Sequence, residues 1–256
     1  MTKLQTSFEI KTETVALKVS DGTSMGAYAA RPAGAGSFPG LLVFQEAFGV
    51  NHYIRGMAER LAQEGFFTLA PEIFHRTAPG FEGSYSDFNA VMPHVRAVTE
   101  TSLEDDVKAG YEYLSKNALV ASGHVGAIGF CMGGRASFLA ASSCPLRATV
   151  SFYGSGIAPV KTAMISNPGL LDRAPQVSGP LLFFWGGQDK HITRDHHRQV
   201  ADALGQAGKK FASVEFSYAD HGFFCDERAS YNQEASKLAW PLALNFLKTN
   251  LSTQVG

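Results

Sequence analysis

The stretch Val125-Gly126-Ala127-Ile128-Gly129-Phe130-Cys131-Met132-Gly133-Gly134 decides the architecture. Val125–Phe130 is an apolar run of strand length, and Met132–Ala141 directly behind it reads as a helix. Cys131 therefore stands at the apex of a strand–turn–helix junction. Glycines at 129 and 133 leave room for backbones that would otherwise clash in so sharp a turn.

Outward from this junction the chain alternates. Gly40–Phe44, Phe66–Leu69, Ala148–Phe152, Leu181–Trp185 and Phe211–Tyr218 read as strands, several of them continuously apolar as in strands buried on both faces. Between them lie helical patterns. Asn51 caps a helix with Ile54, Met57, Ala58 and Leu61 at helical spacing and Gly65 at its end. Thr101 with Glu104 matches a capping box before the stripe Leu103, Val107, Tyr111 and Leu114. Thr193 caps a helix with Val200, Ala203, Leu204 and Ala207 inward and Gly208 at its end, and Tyr231–Lys248 is a final helix that Pro241 is expected to kink or break. Thr12–Val19 and Met25–Ala30, joined by the Asp21-Gly22 turn, form an antiparallel N-terminal edge, followed by the Gly/Pro-rich connection Pro32–Pro39.

This rhythm predicts an α/β fold: a mostly parallel central sheet flanked by helices on both faces, in a single domain over 1–256. Two stretches break it, Pro71–Glu100 and Tyr153–Gly179. They read as irregular cap or lid segments over a pocket at the carboxyl ends of the strands.

Composition narrows the function classes. Apolar residues make up 45% of the 256 and charged residues 18%, enough for a large core. The formal net charge is −1 with no basic run, which argues against nucleic acid and anionic membrane surfaces as partners. Met1–Thr6 is followed by no apolar stretch, and the longest apolar runs are far too short to span a membrane, so a cytoplasmic chain is expected. The three cysteines, Cys131, Cys144 and Cys225, form no CxxC, which argues against a disulfide framework or a structural zinc site. The glycines around Cys131 fit neither the G-x-G-x-x-G fingerprint nor a P-loop, and no cofactor is called for.

The pattern G-x-C-x-G suits nucleophilic chemistry. The turn lifts the apex side chain above the sheet, the helix N-terminus favours a thiolate, and the Met132 N–H points to where an oxyanion would form. A buried cysteine in a glycine-rich packing turn is the plain alternative. An acid and a histidine should then follow at later strand ends, in that order. Asp189 ends Leu181-Leu182-Phe183-Phe184-Trp185-Gly186-Gly187-Gln188-Asp189, and His221 follows the last strand in Asp220-His221-Gly222-Phe223. Asp189 would hold the imidazole tautomer and His221 would take the thiol proton. Either residue alone reads equally well as a turn cap or a loop histidine; their order and placement speak for the set. His191, His196 and His197 invite a metal reading. On the predicted helix the adjacent 196 and 197 point in different directions, so the three are read as solvent-facing and no metal is assigned. His52, His75, His94 and His124 stand alone as surface or packing residues. Glu46 follows the Gly40–Phe44 strand in Gln45-Glu46-Ala47-Phe48-Gly49, the loop expected to supply a second oxyanion donor, Ala47.

With these residues assembled, the sequence resembles the dienelactone hydrolase (carboxymethylenebutenolidase) family of the α/β-hydrolase fold, from about Val15 onward. Its markers are Gln45–Gly49, Gly129–Gly134, Gly186-Gly187-Gln188-Asp189 and His221-Gly222-Phe223. The resemblance implies a Cys131–Asp189–His221 triad and oxyanion donors at Ala47 and Met132. It also implies that Glu46 holds the resting thiol neutral and takes part when substrate activates it. The implied reaction is hydrolysis of a small-molecule ester or lactone through a thioester, in the family a cyclic enol-lactone bearing a carboxylate. Tyr153 and Phe223 are implied as pocket residues. One departure stands out. Where characterised members place a carboxylate-binding arginine four residues after the histidine, this chain has Cys225. Arg228 is the candidate substitute, with Arg76 and Arg96 flanking the lid. A monomer or small homo-oligomer is expected. The reading from another class is a non-enzymatic or redox-responsive binding protein on the same fold, in which Cys225 pairs with Cys131 on oxidation.

Overall fold

The computed structural model describes residues 7–161 and 166–252; Met1–Thr6 and positions 162–165 of the second predicted lid lie outside them. Ten strands are found among the described residues: β1 (Ile10–Lys18), β2 (Ser24–Pro32), β3 (Phe38–Phe44), β4 (Phe67–Pro71), β5 (Val120–Phe130), β6 (Thr149–Phe152), β7 (Val160–Lys161), β8 (Ser166–Asn167), β9 (Leu181–Gly186) and β10 (Phe211–Phe216). The helices are α1 (His52–Gln63), α2 (Phe88–Ala97), α3 (Glu100–Lys116), α4 (Met132–Ser143), α5 (Arg194–Gln206) and α6 (Gln233–Leu251).

Eight strands form one sheet in the order β1-β2-β4-β3-β5-β6-β9-β10. β1 and β2 are antiparallel at one edge, and every pairing from β4 through β3, β5, β6 and β9 to β10 is parallel. The central strands are buried on both sides: all residues of β4, β6 and β9 are buried, and so are the last five of β3. α3 and α4 pack together on one face. α1 and α6 pair on the other, where Arg60 lies 3.7 Å over the Trp240 ring and Lys248 meets Glu64 at 2.6 Å.

Three local readings are corrected. α3 starts two residues before the predicted capping box: Thr99 and Ser102 cap it reciprocally at 3.0 Å, while Glu104 pairs instead with Lys108 and Arg173. Pro241 does not break α6. It sits on the exposed face, where the Lys237 carbonyl it leaves unpaired can turn to water, and Ala235, Ala239, Ala243, Leu247 and Leu251 hold the opposite face in the core. The segment 71–100 is not irregular throughout, because α2 lies in it. Only Val91 and Met92 of α2 are buried and Pro93 interrupts it, so its apolar periodicity is weak. The second segment holds the β7–β8 pair and a 3-10 turn, Leu171–Gln176.

No helix among the described residues is long and apolar enough to cross a membrane.

Candidate active site

The parallel register sets the site. Phe44 of β3 pairs with Gly129 of β5, and Phe130 of β5 with Phe152 of β6. The residues just past these strand ends, Glu46, Cys131 and Tyr153, are therefore neighbours at the carboxyl edge of the sheet.

Cys131 adopts φ 55°, a left-handed conformation that a side-chain-bearing residue occupies only when its surroundings impose it. The glycines around it are required by contact. A Cβ on Gly129 would meet the Gly133 carbonyl oxygen at 1.9 Å, and one on Gly133 would meet that of Phe44 at 2.3 Å. This tight approach seats the N-terminus of α4 against the end of β3. The N–H groups of Ala47 and Met132 have no acceptor among the described residues.

His221 arrives from the loop after β10. Its Nε2 lies 3.1 Å from Cys131 Sγ and its Nδ1 donates to Asp189 Oδ2 at 2.7 Å. Asp189 is held in turn: its Oδ1 accepts the N–H groups of His191 and Ile192 at 2.8 and 2.9 Å. The charges reinforce one another. Burial pushes the Cys131 thiol up, but the charge and hydrogen bond of His221 outweigh it and the thiol falls below its ordinary value. Burial pulls His221 down, yet Cys131 and Asp189 carry it up to about 10. Burial pushes Asp189 up, and its hydrogen bond to His221 and the two N–H groups bring it below the usual carboxylate range. These directions favour charge separation between Cys131 and His221, with Asp189 steadying the imidazole.

The Glu46 charge pushes the Cys131 thiol up, against the stronger pull of His221. Glu46 Oε1 accepts from Arg228 Nη1 at 3.0 Å, while Sγ turns to His221. Glu46 is buried, which raises its carboxyl, and Arg228 offsets part of that rise. Arg228 reaches Glu46 by lying across Gly222, where a Cβ would stand 2.4 Å from its Nη1. Arg76, one of the two lid arginines considered, is engaged with Asp21 and Asp106.

Three further expectations change. Phe223 is fully buried against Tyr153, Phe216 and Phe152, so it supports the histidine loop from below instead of lining a pocket. Tyr153 is also fully buried, at φ 38°, its ring 5.2 Å from that of His221. It packs behind the imidazole. The three clustered histidines are not all solvent-facing: His196 Nδ1 accepts the Thr193 N–H at 3.0 Å, and His197 stacks on Trp185 at 4.5 Å. Of the two readings given for His75, surface or packing, the structure has the second: it is buried, 3.1 Å from Asp106. Among the described residues no group of three or more His, Cys, Asp or Glu could hold a metal ion.

The sequence reading missed Ser155, whose N–H donates to the Cys131 carbonyl at 3.1 Å, and Tyr85, whose ring packs at a tilt 4.5 Å from that of Phe48 and whose hydroxyl accepts from Asn51. Both belong to the segments that lacked periodicity, where spacing carries no signal. Cys225 is fully buried, and burial together with Glu46 pushes its thiol up to about 12, so it ionises poorly.

Residues 25–251 match the model of the dienelactone hydrolase family. The chain belongs to that family. It is 35% identical over 245 residues to a "putative carboxymethylenebutenolidase" of Synechocystis sp., covering 95% of this chain and 98% of the relative. It is 30% identical over 245 residues to a "probable 2-oxo-3-(5-oxofuran-2-ylidene)propanoate lactonase" of Bradyrhizobium sp., with 94% and 97% covered. The crystal structure of a "putative dienelactone hydrolase" from Klebsiella pneumoniae superposes with a TM-score of 0.83 at 30% identity, covering 93% of this chain and 98% of that one. The fold is thus the α/β-hydrolase fold.

Proposed function

We propose that this chain hydrolyses an ester or lactone bond with Cys131 as nucleophile, His221 as acid and base and Asp189 as the group that orients and charges the imidazole. The observation that carries the reading is the chain of contacts Sγ–Nε2 at 3.1 Å and Nδ1–Oδ2 at 2.7 Å, built on a cysteine at φ 55°. The named activities of the Synechocystis and Bradyrhizobium relatives point to the same bond class.

The chemistry follows from the charges. The Cys131 thiolate adds to the carbonyl carbon, forming a C–S bond, and the carbonyl oxygen becomes an oxyanion facing the N–H groups of Ala47 and Met132. The intermediate collapses, the acyl C–O bond breaks, and the departing oxygen takes the proton from His221 Nε2. In a lactone that oxygen stays tethered to the acyl group. The neutral imidazole then accepts a proton from water as the water attacks the thioester, the C–S bond breaks, and the acid and the thiolate–imidazolium pair are restored. One water is consumed per bond cleaved. Glu46, anchored by Arg228, keeps a polar wall beside the sulfur without pairing with it.

The test compares wild type with Cys131→Ala on p-nitrophenyl acetate and on cis- and trans-dienelactone, with mass spectrometry of acid-quenched enzyme. Expected are loss of turnover by about 10⁴-fold or more in the variant and an acyl adduct on Cys131 in wild type. Full turnover by Cys131→Ala would overturn the proposal.

A further inference from the structure

Among the described residues two that are not glycine hold a left-handed φ, Cys131 at 55° and Tyr153 at 38°, and the chain stitches their surroundings together. The Cys131 N–H donates to the Phe152 carbonyl at 3.0 Å, and the Ser155 N–H returns to the Cys131 carbonyl at 3.1 Å. Behind these bonds the backbones touch: a Cβ on Gly134 would stand 2.5 Å from Gly154 Cα. Arg135, in the first turn of α4, bonds the Gly156 carbonyl and reaches Asn167 Oδ1 at 3.0 Å. Strained residues persist where their surroundings over-determine them. Residues 152–156 therefore act as a splint on the cysteine turn.

The splint fixes one side chain that the chemistry proposed above leaves unused. β5 lies between β3 and β6, so Cys131 has the Ala47 loop on one side and Ser155 on the other. Ser155 Oγ is 4.0 Å from Cys131 Sγ, and among the described residues Sγ is its one hydrogen-bond partner. With the Ser155 backbone pinned, the hydroxyl is left to turn about χ1 alone. A neutral thiol gains little from a donor at that distance. A thiolate accepts several donors, and hydrogen bonds to reacting groups that are long in the free protein tighten as charge develops. The other groups around the sulfur are charged or titratable. His221 Nε2 lies at 3.1 Å, with Asp189 bonded to that imidazole and the Tyr153 and His191 rings 5.2 and 6.2 Å from it. The Glu46 charge opposes the thiolate, and Arg228, bound to Glu46, favours it. Ser155 adds an uncharged donor to this set.

We propose that Ser155 is a second hydrogen-bond donor to the Cys131 sulfur, its O–H turning to the thiolate in the free enzyme and again when the thioester C–S bond breaks, so that the charge on sulfur does not depend on the imidazolium alone. The inference rests on Cys131 being the attacking atom, as proposed above, but it is read on the free protein without turnover.

The experiment is the pH profile of Cys131 alkylation by iodoacetamide, mapped by mass spectrometry, in wild type, Ser155→Ala, Ser155→Thr and Ser155→Val. Alanine keeps the Ser155 N–H and so the splint, and its Tm should match wild type. Threonine and valine have the same shape and differ in the hydroxyl. Alanine and valine should move the midpoint up by about half a pH unit or more, while threonine keeps it at the wild-type value. The shift caused by Ser155→Ala should persist in a His221→Ala background, because the hydroxyl meets the sulfur directly. A Ser155→Ala midpoint equal to wild type, a threonine shift as large as that of valine, or a shift confined to proteins that retain His221 would overturn the proposal. Midpoints that move as expected in a chain that hydrolyses no ester would count against the hydrolase reading alone. Ester turnover through Cys131 with midpoints indifferent to Ser155 would count against Ser155 alone.

Discussion

Replacing His221 by alanine tests the thiolate–imidazolium pair most directly. Opposite unit charges separated by the 3.1 Å between Nε2 and Sγ attract by about 5 kcal/mol at an effective dielectric of about 20, roughly 4 pKa units. In wild type this attraction and the hydrogen bond outweigh burial, which alone pushes the thiol up. In His221→Ala burial and the Glu46 charge remain while the main opposing influence is gone. The thiol should then titrate above its ordinary value of about 8.5. At pH 7 a thiol of that ordinary value is only about 3% ionised, and alkylation depends on the ionised form. The expected result is an iodoacetamide rate on Cys131 at pH 7 well below that of wild type, with the midpoint of its pH profile moved from below the ordinary thiol value to above it. Cys144 and Cys225 do not compete, because burial holds both thiols up at about 12. A wild-type midpoint at or above the ordinary thiol value, or one that His221→Ala leaves in place, would refute the electrostatic reasoning.

Asp189→Asn keeps an acceptor for the His191 and Ile192 N–H groups but presents a donor to His221 Nδ1, which favours the wrong tautomer. Ester turnover should fall by about 10³–10⁴-fold with thermal stability little changed, and a loss below tenfold would contradict the orienting role. Arg228→Met leaves the Glu46 carboxylate buried without its ion-pair partner and should cost about 3–5 kcal/mol at pH 8. Because burial raises the folded-state pKa of Glu46 above its unfolded value, the native state keeps a proton that the unfolded chain releases. Stability therefore falls as pH climbs from the ordinary carboxylate value to the raised one, by about 1.4 kcal/mol per pH unit in that window. Urea midpoints at pH 5 and pH 8 should show this loss deepened in Arg228→Met and abolished by adding Glu46→Gln; equal slopes in all three proteins would show that the carboxylate is not what is destabilised. Gly129→Ala drives a Cβ to 1.9 Å from the Gly133 carbonyl oxygen and should lower stability by about 3 kcal/mol, read as a drop in Tm.

The alternation of apolar strands with amphipathic helices was legible because burial on both faces of a parallel sheet leaves continuous runs such as Leu181–Trp185, and helical packing leaves a 3.6-residue period such as Ile54, Met57, Ala58 and Leu61. The strand–turn–helix around Cys131 was legible for a local reason too, since only glycine fits at 129 and 133. Strand ends also pointed to Asp189 and His221, because a parallel sheet gathers its carboxyl ends along one edge. What the tertiary structure alone decided depends on contacts between residues far apart in the chain, on which local pattern is silent. It placed Arg228 on Glu46 across 182 positions. It buried Phe223 and Tyr153 behind the imidazole, and it folded α2 from a segment with only two buried residues. It also set Ser155 beside the sulfur, its Oγ 4.0 Å from Sγ. A side chain's type and spacing state what it can do; which partner it meets, and so which charge it faces, follows only from how the strands are ordered and how the loops beyond them pack.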